Sequence, residues 1–220
     1  METLTEPVSR AETKQTPLAG RRLERAVKDA LDFVGALAML IVLSPLLLVI
    51  AFAVKMGDGG PVFHRRRVVG RNGEFGAFKF RTMRPDADAI LAADQALRAL
   101  FEMAYKLQND PRITRVGVFL RKYSLDELPQ LLNVLMGQMS LVGPRMTTAA
   151  ELQKYGKFQE LLLKAKPGLT GYWQVNGRQK VSYRERVKMD VYYLEHWSLA
   201  LDLEILLKTP GKVVRAEGAY

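Results

Sequence analysis

The sequence contains no cysteine, which excludes disulfide bonds and thiol-based catalysis. It has two histidines, His64 and His196, and neither has a metal-ligand companion nearby in sequence, so a zinc site is not indicated. Three catalytic signatures are also missing: the Walker phosphate loop, the G-x-G-x-x-G dinucleotide turn and the G-x-S-x-G nucleophile elbow.

Basic residues outnumber acidic ones, with 33 Lys and Arg against 23 Asp and Glu and a formal net charge of +10. A positive charge of this size favours anionic partners. There is no helix-turn-helix, zinc-finger or RNA-binding aromatic signature, so no nucleic acid is expected as a partner. A cationic nucleic-acid binder remains an alternative that a salt-titrated binding assay would test. Acidic membrane lipids and phosphorylated substrates are the favoured partners.

A long apolar run covers residues 33–54 and is interrupted near its middle by Ser44 and Pro45. About 22 residues rise roughly 33 Å as one helix, enough to cross a hydrocarbon core of about 30 Å. Pro45 has no N–H to donate to the carbonyl of Ile41, and its ring clashes with that carbonyl, so a helix break is predicted there. The Ser44 hydroxyl is the local candidate to satisfy the freed carbonyl.

Basic residues flank this run on both sides, and short basic flanks stay on the cytoplasmic side of a membrane. The flanking residues are Arg21, Arg22, Arg25 and Lys28 before the run and Lys55, Arg65, Arg66, Arg67 and Arg71 after it. Two cytoplasmic flanks favour a re-entrant helix that enters and leaves the bilayer on the same side. A single span is the main alternative, and a buried helix of a soluble protein is the weaker one.

Composition divides the chain into a flexible tail (1–20), a re-entrant membrane anchor (21–56) and a cytoplasmic catalytic domain (57–216). The expected fold is mostly α-helical and membrane-associated, with some β-structure. The predicted elements are a small hairpin of strands 61–69 and 74–82, further strands 140–142 and 171–175, and helices 86–107, 115–122, 124–135, 147–164, 182–195 and 199–208. Some of these helices are expected to be amphipathic and to lie at the membrane interface.

The acid pair of Asp126 and Glu127 is the first candidate for catalysis. Both carboxylates fall in the first turn of a predicted helix, where free N–H groups and the positive end of the dipole favour negative charge. A structural alternative is a capping box that begins at Ser124. In that case the two acids would only stabilise the start of the helix.

Cations around the acid pair favour the catalytic interpretation. Guanidinium groups and helix N-termini both bind phosphate. A carboxylate among them would be ionised, could attack phosphorus, and could hold Mg²⁺, which would offset repulsion from a diphosphate. The metal is assigned to Asp126 and Glu127. The candidate phosphate-binding residues are Lys79, Arg81, Arg121, Arg145 and Arg178.

A competing site is formed by Asp86 and Asp88, which match the D-x-D pattern that glycosyltransferases use to hold a metal-bound nucleotide sugar. Two acids at this spacing before a helix more often cap it. A glycosyltransferase of this kind would transfer the sugar alone and release UDP, whereas an enzyme that transfers the sugar with its phosphate would release UMP. A non-catalytic membrane scaffold is a further alternative, and it would show no turnover of nucleotide sugars.

Several motifs, read together, resemble the bacterial sugar transferases. These motifs are residues 79–83 (KFRTM), 120–131 (LRKYSLDELPQL), 139–145 (MSLVGPR), 166–171 (KPGLTG) and 174–178 (QVNGR). The likeness covers about residues 23–214 and points to the small monotopic phosphoglycosyl transferases, which lack the extra N-terminal transmembrane helices of larger members. Two departures occur: Met146 replaces the usual proline after Gly-Pro-Arg, and Pro210 stands where a small aliphatic residue is common.

The resemblance implies transfer of a sugar-1-phosphate from a UDP-sugar to undecaprenyl phosphate, with release of UMP, as the first membrane step of exopolysaccharide assembly. It implies that Asp126 attacks phosphorus to form a covalent phosphosugar intermediate, with Glu127 as its partner and Mg²⁺ as cofactor. It implies that Ser44 and Pro45 break the re-entrant helix and that Lys28 and Asp32 form a charged pair where the anchor begins. The expected location is the cytoplasmic face of the bacterial inner membrane. The identity of the sugar and a homo-oligomeric state are left open.

Overall fold

The structure is a computed structural model and describes residues 22–96, 98–99, 110–177 and 181–215. Its main elements confirm a mostly helical chain with a small hairpin and one long apolar helix near the N-terminus. The described α-helices are α1 (Arg22–Asp58), α2 (Ala87–Ala93), α3 (Arg115–Lys122), α4 (Leu131–Leu135), α5 (Ala149–Leu152), α6 (Gln159–Leu163), α7 (Tyr172–Asn176), α8 (Tyr183–Glu195) and α9 (Leu199–Val214). The strands are β1 (Phe63–Gly70), β2 (Gly73–Phe80), β3 (Ser140–Val142) and β4 (Gly168–Thr170).

The predicted hairpin is confirmed as the antiparallel pair β1 and β2. Its register pairs Phe63 with Phe80 at the open end and Gly70 with Gly73 at the turn. Gly73 has a φ of +105°, a left-handed conformation that glycine adopts without a steric cost. The hairpin therefore brings Lys79, near the open end of β2, to a fixed position beside the helices.

The second sheet corrects one prediction. Residues 171–175, predicted as an aromatic strand, begin the helix α7, and the strand is β4, which lies just before them and pairs in parallel with β3. The position of β4 depends on a close backbone contact between Gly168 and Gly143. A Cβ atom on Gly168 would lie only 2.1 Å from the backbone nitrogen of Gly143. The two glycines allow the backbones to approach this closely, and the pattern of polar and apolar residues along the sequence does not predict such a contact.

Four helix predictions change in detail. The helix expected over 124–135 begins as a 3₁₀ helix, Leu125–Gln130, and continues as α4. The single helix expected over 147–164 is divided into α5, a 3₁₀ helix Gln153–Phe158 and α6, because Gly156 adopts a φ of 52°. The helix expected over 86–107 is described as α2, which ends at Ala93, while residues 100–109 lie outside the described part. The last helix, α9, continues through Pro210 to Val214 instead of ending at Lys208, since proline's fixed φ is compatible with helix and costs one hydrogen bond.

The segment predicted to be the anchor forms the helix α1, which continues through Pro45, where a helix break was predicted. The Ser44 hydroxyl donates a 2.8 Å hydrogen bond to the carbonyl of Ile41, which confirms the predicted compensation for the missing proline N–H. By length and composition α1 is able to cross a membrane, and it is the one such helix among the described residues. Many of its large apolar side chains are exposed, with Ile41 at 66 % and Phe52 at 67 %.

Both ends of α1 pack against the same domain. Near its C-terminal end, Ile50 and Val54 are buried in a cluster with Phe80 of β2 and Leu120 of α3. Near its N-terminal end, Asp32 accepts a 3.0 Å hydrogen bond from the backbone N–H of Leu141 in β3. The helix is therefore joined to the domain over most of its length, with its other face left exposed.

The predicted pair of Lys28 and Asp32 is present, at 3.7 Å, but it belongs to a larger buried network. Lys28 Nζ lies 2.6 Å from Asp202 of α9. Asp202 also accepts hydrogen bonds from Tyr193 Oη at 2.7 Å and from Trp197 Nε1 at 3.1 Å. Since Trp197 and Tyr193 are buried, they belong to the core of the domain. This network fixes the start of the anchor to α8 and α9.

Candidate active site

Asp126 and Glu127 lie at the start of a 3₁₀ helix, Leu125–Gln130, which leads directly into α4. Ser124, the residue before this helix, has a φ of 55° and a ψ of 22°. A left-handed backbone is uncommon outside glycine, and backbone strain of this kind is concentrated at functional sites. The turn places two consecutive carboxylates against the strand β2.

Lys79 on β2 joins the two carboxylates. Its Nζ atom lies 2.6 Å from Glu127 Oε1 and 3.7 Å from Asp126 Oδ2. Asp126 is buried, and Lys79 is only partly accessible. One cation thus lies within ion-pair distance of both members of the acid pair, as expected of a site that handles negative charge.

The position of Lys79 is maintained by the side chain of Asn133, on α4. Asn133 is fully buried and donates a 3.0 Å hydrogen bond from Nδ2 to the carbonyl of Gly76. Its Oδ1 atom accepts a 2.9 Å hydrogen bond from the N–H of Phe78. The amide therefore replaces a neighbouring strand along the edge of β2 and holds that edge against α4, which follows the acid pair directly.

The two carboxylates differ in proton affinity. Burial raises the pKa of Asp126 to about 6, against the opposing attraction of Lys79. Burial alone would also raise the pKa of Glu127, but the charges of Lys79 and Arg145 outweigh it and hold this pKa below its usual value. Neighbouring acids whose pKa values are moved apart are a pattern found in catalytic sites.

The capping-box alternative for the acid pair is not supported. The Ser124 side chain makes no capping hydrogen bond, and the Glu127 carboxylate accepts a hydrogen bond from Lys79 instead. A capping box does form where one was predicted, between Ser182 and Glu185 at the start of α8. The acid pair is therefore held by long-range contacts rather than by its own helix.

Two further predicted cations, Arg121 and Arg145, lie around the acid pair. Arg121, on α3, donates from Nε to Thr82 Oγ1 at 2.9 Å, and its positive charge acts on Asp126. Arg145 follows β3, and its charge acts on Glu127. The structure thus brings Arg121 and Arg145 together with Lys79 around Asp126 and Glu127.

Arg66 is a cation of the site that sequence reasoning missed. It lies on β1, its Nη2 atom is 3.1 Å from Glu151 Oε2, and its charge also acts on Glu127. In the sequence it was counted only among the basic residues that flank the anchor. Nothing in the sequence around Arg66 indicated that it would lie near the acid pair.

A second missed group consists of Arg186 and two aromatic rings. The Arg186 guanidinium lies 3.9 Å from the ring centroid of Tyr183 and 5.5 Å from that of Trp173. Arg145 lies 5.0 Å from the same Trp173 ring, and the two guanidinium charges repel each other. The available signal was the spacing of Tyr183 and Arg186, three residues apart on one helix face.

Arg81 lies apart from this group. Its guanidinium pairs with Asp58 at the end of α1 through both terminal nitrogens and also donates to the carbonyls of Pro61 and Met83. Arg81 follows the last residue of β2 and was predicted to bind phosphate together with Lys79, but its guanidinium is engaged by these other partners. It therefore joins the anchor to the hairpin and is left out of the candidate site. Arg178 lies outside the described residues.

Asp86 and Asp88 do not gather other ligands. Asp86 is exposed and forms a two-pronged ion pair with Arg84, at 2.9 and 2.8 Å, and Asp88 lies in the first turn of α2. Across the described ranges, no group of three or more His, Cys, Asp or Glu side chains is placed to hold a metal ion. The D-x-D pattern is thus accounted for by local structure.

The acid pair fits Mg²⁺ by its donor chemistry. Mg²⁺ is commonly bound by one or two carboxylates, with substrate phosphates and water completing the shell. Asp126 and Glu127 offer such oxygens side by side, and Lys79 is the cation that now occupies the space between them. A two-carboxylate site of this kind would bind the metal mainly together with a phosphorylated substrate.

Comparisons with known proteins identify the family of the chain. A profile of the bacterial sugar transferase family matches residues 23–216. The chain is 47 % identical over 201 residues to a UDP-galactose-lipid carrier transferase of Erwinia amylovora, covering 89 % of this chain and 42 % of that protein. It is 46 % identical over 198 residues to the exopolysaccharide production protein ExoY of Sinorhizobium fredii, covering 88 % of each chain.

A third relative is the UDP-glucose:undecaprenyl-phosphate glucose-1-phosphate transferase of Escherichia coli, 39 % identical over 214 residues, which cover 93 % of this chain and 43 % of that protein. The chain thus spans less than half the length of several of the relatives it matches. The family profile, in contrast, covers nearly the whole chain, including α1, the acid pair and α9. The protein belongs to the bacterial sugar transferase family.

Proposed function

We propose that the protein transfers a sugar-1-phosphate from a UDP-sugar to undecaprenyl phosphate at the membrane surface, as the first membrane step of exopolysaccharide assembly. The printed names of its relatives include a UDP-glucose:undecaprenyl-phosphate glucose-1-phosphate transferase and an exopolysaccharide production protein. The observation that carries the proposal is the buried Asp126 carboxylate, surrounded by Lys79, Arg121 and, through Glu127, Arg145.

In the first step, a carboxylate oxygen of Asp126 attacks the phosphorus that carries the sugar. A new P–O bond forms to Asp126, the bond from that phosphorus to the bridging oxygen breaks, and UMP leaves with the electron pair. Lys79 and Arg145 lie where they would hold the phosphate oxygens and stabilise their charge. Mg²⁺, held by Asp126 and Glu127, would add positive charge against the diphosphate.

In the second step, a phosphate oxygen of undecaprenyl phosphate attacks the same phosphorus. The bond from phosphorus to Asp126 breaks, the carboxylate is regenerated, and the sugar is left on a lipid diphosphate. Glu127, whose pKa is held below its usual value, stays ionised through both steps. We propose that Glu127 positions Lys79, because Lys79 Nζ lies 2.6 Å from Glu127 and 3.7 Å from Asp126.

Arg66, Arg145 and Arg186 complete the proposed donor site. Arg145 and Arg186 repel each other beside the indole ring of Trp173, and an anionic group between them would relieve that repulsion. We assign these arginines to the diphosphate of the nucleotide sugar. Arginine suits this role because its planar donor fork matches phosphate oxygens.

The contacts of α1 support a membrane placement on one side of the bilayer. A spanning helix would have its two ends on opposite sides of the bilayer, yet Asp32 near one end and Val54 near the other both pack on one domain. We therefore propose that α1 enters a single leaflet and that the catalytic domain lies on the cytoplasmic face. The lipid-linked acceptor phosphate and a soluble donor would then meet at headgroup depth.

The substitution Asp126→Asn tests the proposal, because the amide is nearly the same size but is a poor nucleophile. Membranes containing the variant are incubated with a panel of UDP-sugars and undecaprenyl phosphate, and released UMP is measured. We expect transfer to be abolished while membrane association is retained. With a donor labelled in the sugar, the unaltered protein should carry label covalently and the variant should carry none.

The matched control is the double variant Asp86→Asn/Asp88→Asn, which removes two exposed carboxylates outside the site. We expect it to keep normal turnover. Loss of activity in this control, together with release of UDP in place of UMP by the unaltered protein, would assign the reaction to the D-x-D pattern. Near-normal turnover of Asp126→Asn would remove Asp126 as the nucleophile.

A further inference from the structure

A second cationic cavity lies at the N-terminal end of α1. Its volume is about 50 Å³. Five basic side chains from three separate segments line it: Arg25 and Lys28 of α1, Arg71 of the hairpin turn, and Lys164 and Lys166 of the segment between α6 and β4. The acid pair and its surrounding cations Lys79, Arg121 and Arg145 are not among the lining residues, so this cavity is separate from the reaction site.

The charges in the cavity are only partly compensated. Lys28 pairs with Asp202, and Lys166 pairs with Asp29 at 2.8 Å. Arg25 and Arg71 repel each other, and in the described part of the chain the ion pairs include neither of them, although Asp29, which also lines the cavity, attracts Arg25. Folding has therefore brought like charges from distant parts of the sequence together. A bound anion would recover the energy that this repulsion costs.

The other wall of the cavity is apolar. It is formed by Val142, Leu194 and Trp197, and Leu194 and Trp197 are almost fully buried. Because Trp197 donates its N–H to Asp202, the indole is fixed in place. A ligand in this cavity would meet cations on one side and hydrocarbon on the other.

We propose that this cavity binds a phosphate group distinct from those that react at Asp126, and that the group belongs to an anionic membrane lipid. A phosphate offers oxygens to guanidinium groups in a two-pronged fashion. The cavity lies at the N-terminal end of α1, the helix that is long and apolar enough to enter a membrane, which suits a headgroup whose chains continue along α1. The inference rests on the proposed membrane association and not on the proposed reaction.

The test compares two double variants with the same loss of charge. Arg25→Gln/Arg71→Gln removes the two unpaired cations of the cavity, whereas Arg22→Gln/Arg67→Gln removes exposed cations from the same helix and the same hairpin outside it. Each full-length protein is placed in nanodiscs of phosphatidylcholine with an increasing fraction of phosphatidylglycerol. Retention of phosphatidylglycerol is measured by native mass spectrometry, and inorganic phosphate is added as a soluble competitor.

We expect the cavity variant to retain phosphatidylglycerol about tenfold less well than the control variant, because it loses two charge-assisted contacts. Competition by millimolar inorganic phosphate would support the site but assign it to a soluble phosphate. Equal losses in both double variants would overturn the proposal, since diffuse surface charge would then explain binding. UMP release measured on the same samples reports the reaction separately, and we expect both variants to retain it.

A single substitution of an exposed residue protects the test against misfolding. Lys164→Gln changes one accessible side chain at the rim of the cavity. We expect about threefold weaker retention of phosphatidylglycerol with an unchanged thermal unfolding midpoint. Unchanged retention in this variant and in the Arg25→Gln/Arg71→Gln variant would refute the site.

Discussion

Replacing Lys79 by glutamine should move the acid limb of the pH–rate profile. Lys79 Nζ lies 3.7 Å from Asp126 Oδ2, and burial already raises the pKa of this carboxyl to about 6. At an effective dielectric constant of about 20, two unit charges about 4 Å apart interact by about 4 kcal/mol. Since one pKa unit corresponds to about 1.4 kcal/mol, the upper bound on the shift is about 3 units.

The direction of the shift follows from the reaction. In the proposed reaction Asp126 must be ionised to attack phosphorus, so we expect kcat/KM to fall as the pH drops through its pKa. Without Lys79 the ionised form loses this cation, and the negative charge of the neighbouring Glu127 is compensated less, by Arg145 and Arg66 alone. Both changes raise the pKa of Asp126. We therefore expect the acid limb of Lys79→Gln to lie at least about 1 pH unit higher than that of the unaltered protein.

The measurement is the initial rate of UMP release from a saturating series of UDP-sugar between about pH 5 and 9, at constant Mg²⁺ and ionic strength. Lys79→Arg keeps the positive charge, so the acid limb of its pH–rate profile should stay at the same pH even if the maximal rate changes. Lys122→Gln removes an exposed charge from the neighbouring end of α3 and should change neither. An acid limb of Lys79→Gln that coincides with that of Lys122→Gln would refute the reasoning.

Three further predictions concern folding. Asn133→Ala leaves two groups on the edge of β2 without partners and should lower the free energy of unfolding by about 2–4 kcal/mol, measured by denaturant titration. Gly168→Ala places a Cβ 2.1 Å from the nitrogen of Gly143 and should prevent folding, seen as loss of the thermal transition. Burial raises the pKa of Asp190 to about 6, so the folded state binds an extra proton between about pH 4 and pH 6. As the pH rises over that range, this proton is lost and the contribution of Asp190 to the free energy of unfolding falls by about 3 kcal/mol. Asp190→Asn should remove this part of the pH dependence, measured as unfolding midpoints at several pH values, whereas an unchanged curve would contradict it.

Much of the fold was predictable because its signals are local. The hairpin was indicated by two strand-like segments around a glycine-rich turn, and the structure confirms its register between Phe63 and Phe80. The compensation of Pro45 by Ser44 follows from bonds among neighbouring residues, and it is present. The strand 171–175 was wrong because its position depends on the contact between Gly143 and Gly168, which are distant in sequence.

The candidate site was predictable in its centre and less so at its edges. The acid pair, Arg121 and Arg145 were indicated by their residue types and motifs, and the structure brings them together with Lys79. Arg81 carried the same signal, but Asp58 at the end of the anchor engages its guanidinium. Charge type is visible in a sequence, whereas the partner that neutralises each charge depends on distant segments.

By itself, the sequence determined the apolar anchor with its Ser44–Pro45 interruption, the hairpin, and the surplus of cations around two adjacent acids. These features depend on residue type and spacing over a few neighbours. Only the tertiary structure decided which cations face Asp126, that Asn133 holds the edge of β2, and that both ends of α1 pack on one domain. The reason is physical: burial, ion pairing and backbone approach join segments up to 174 residues apart, as in the contact of Lys28 with Asp202.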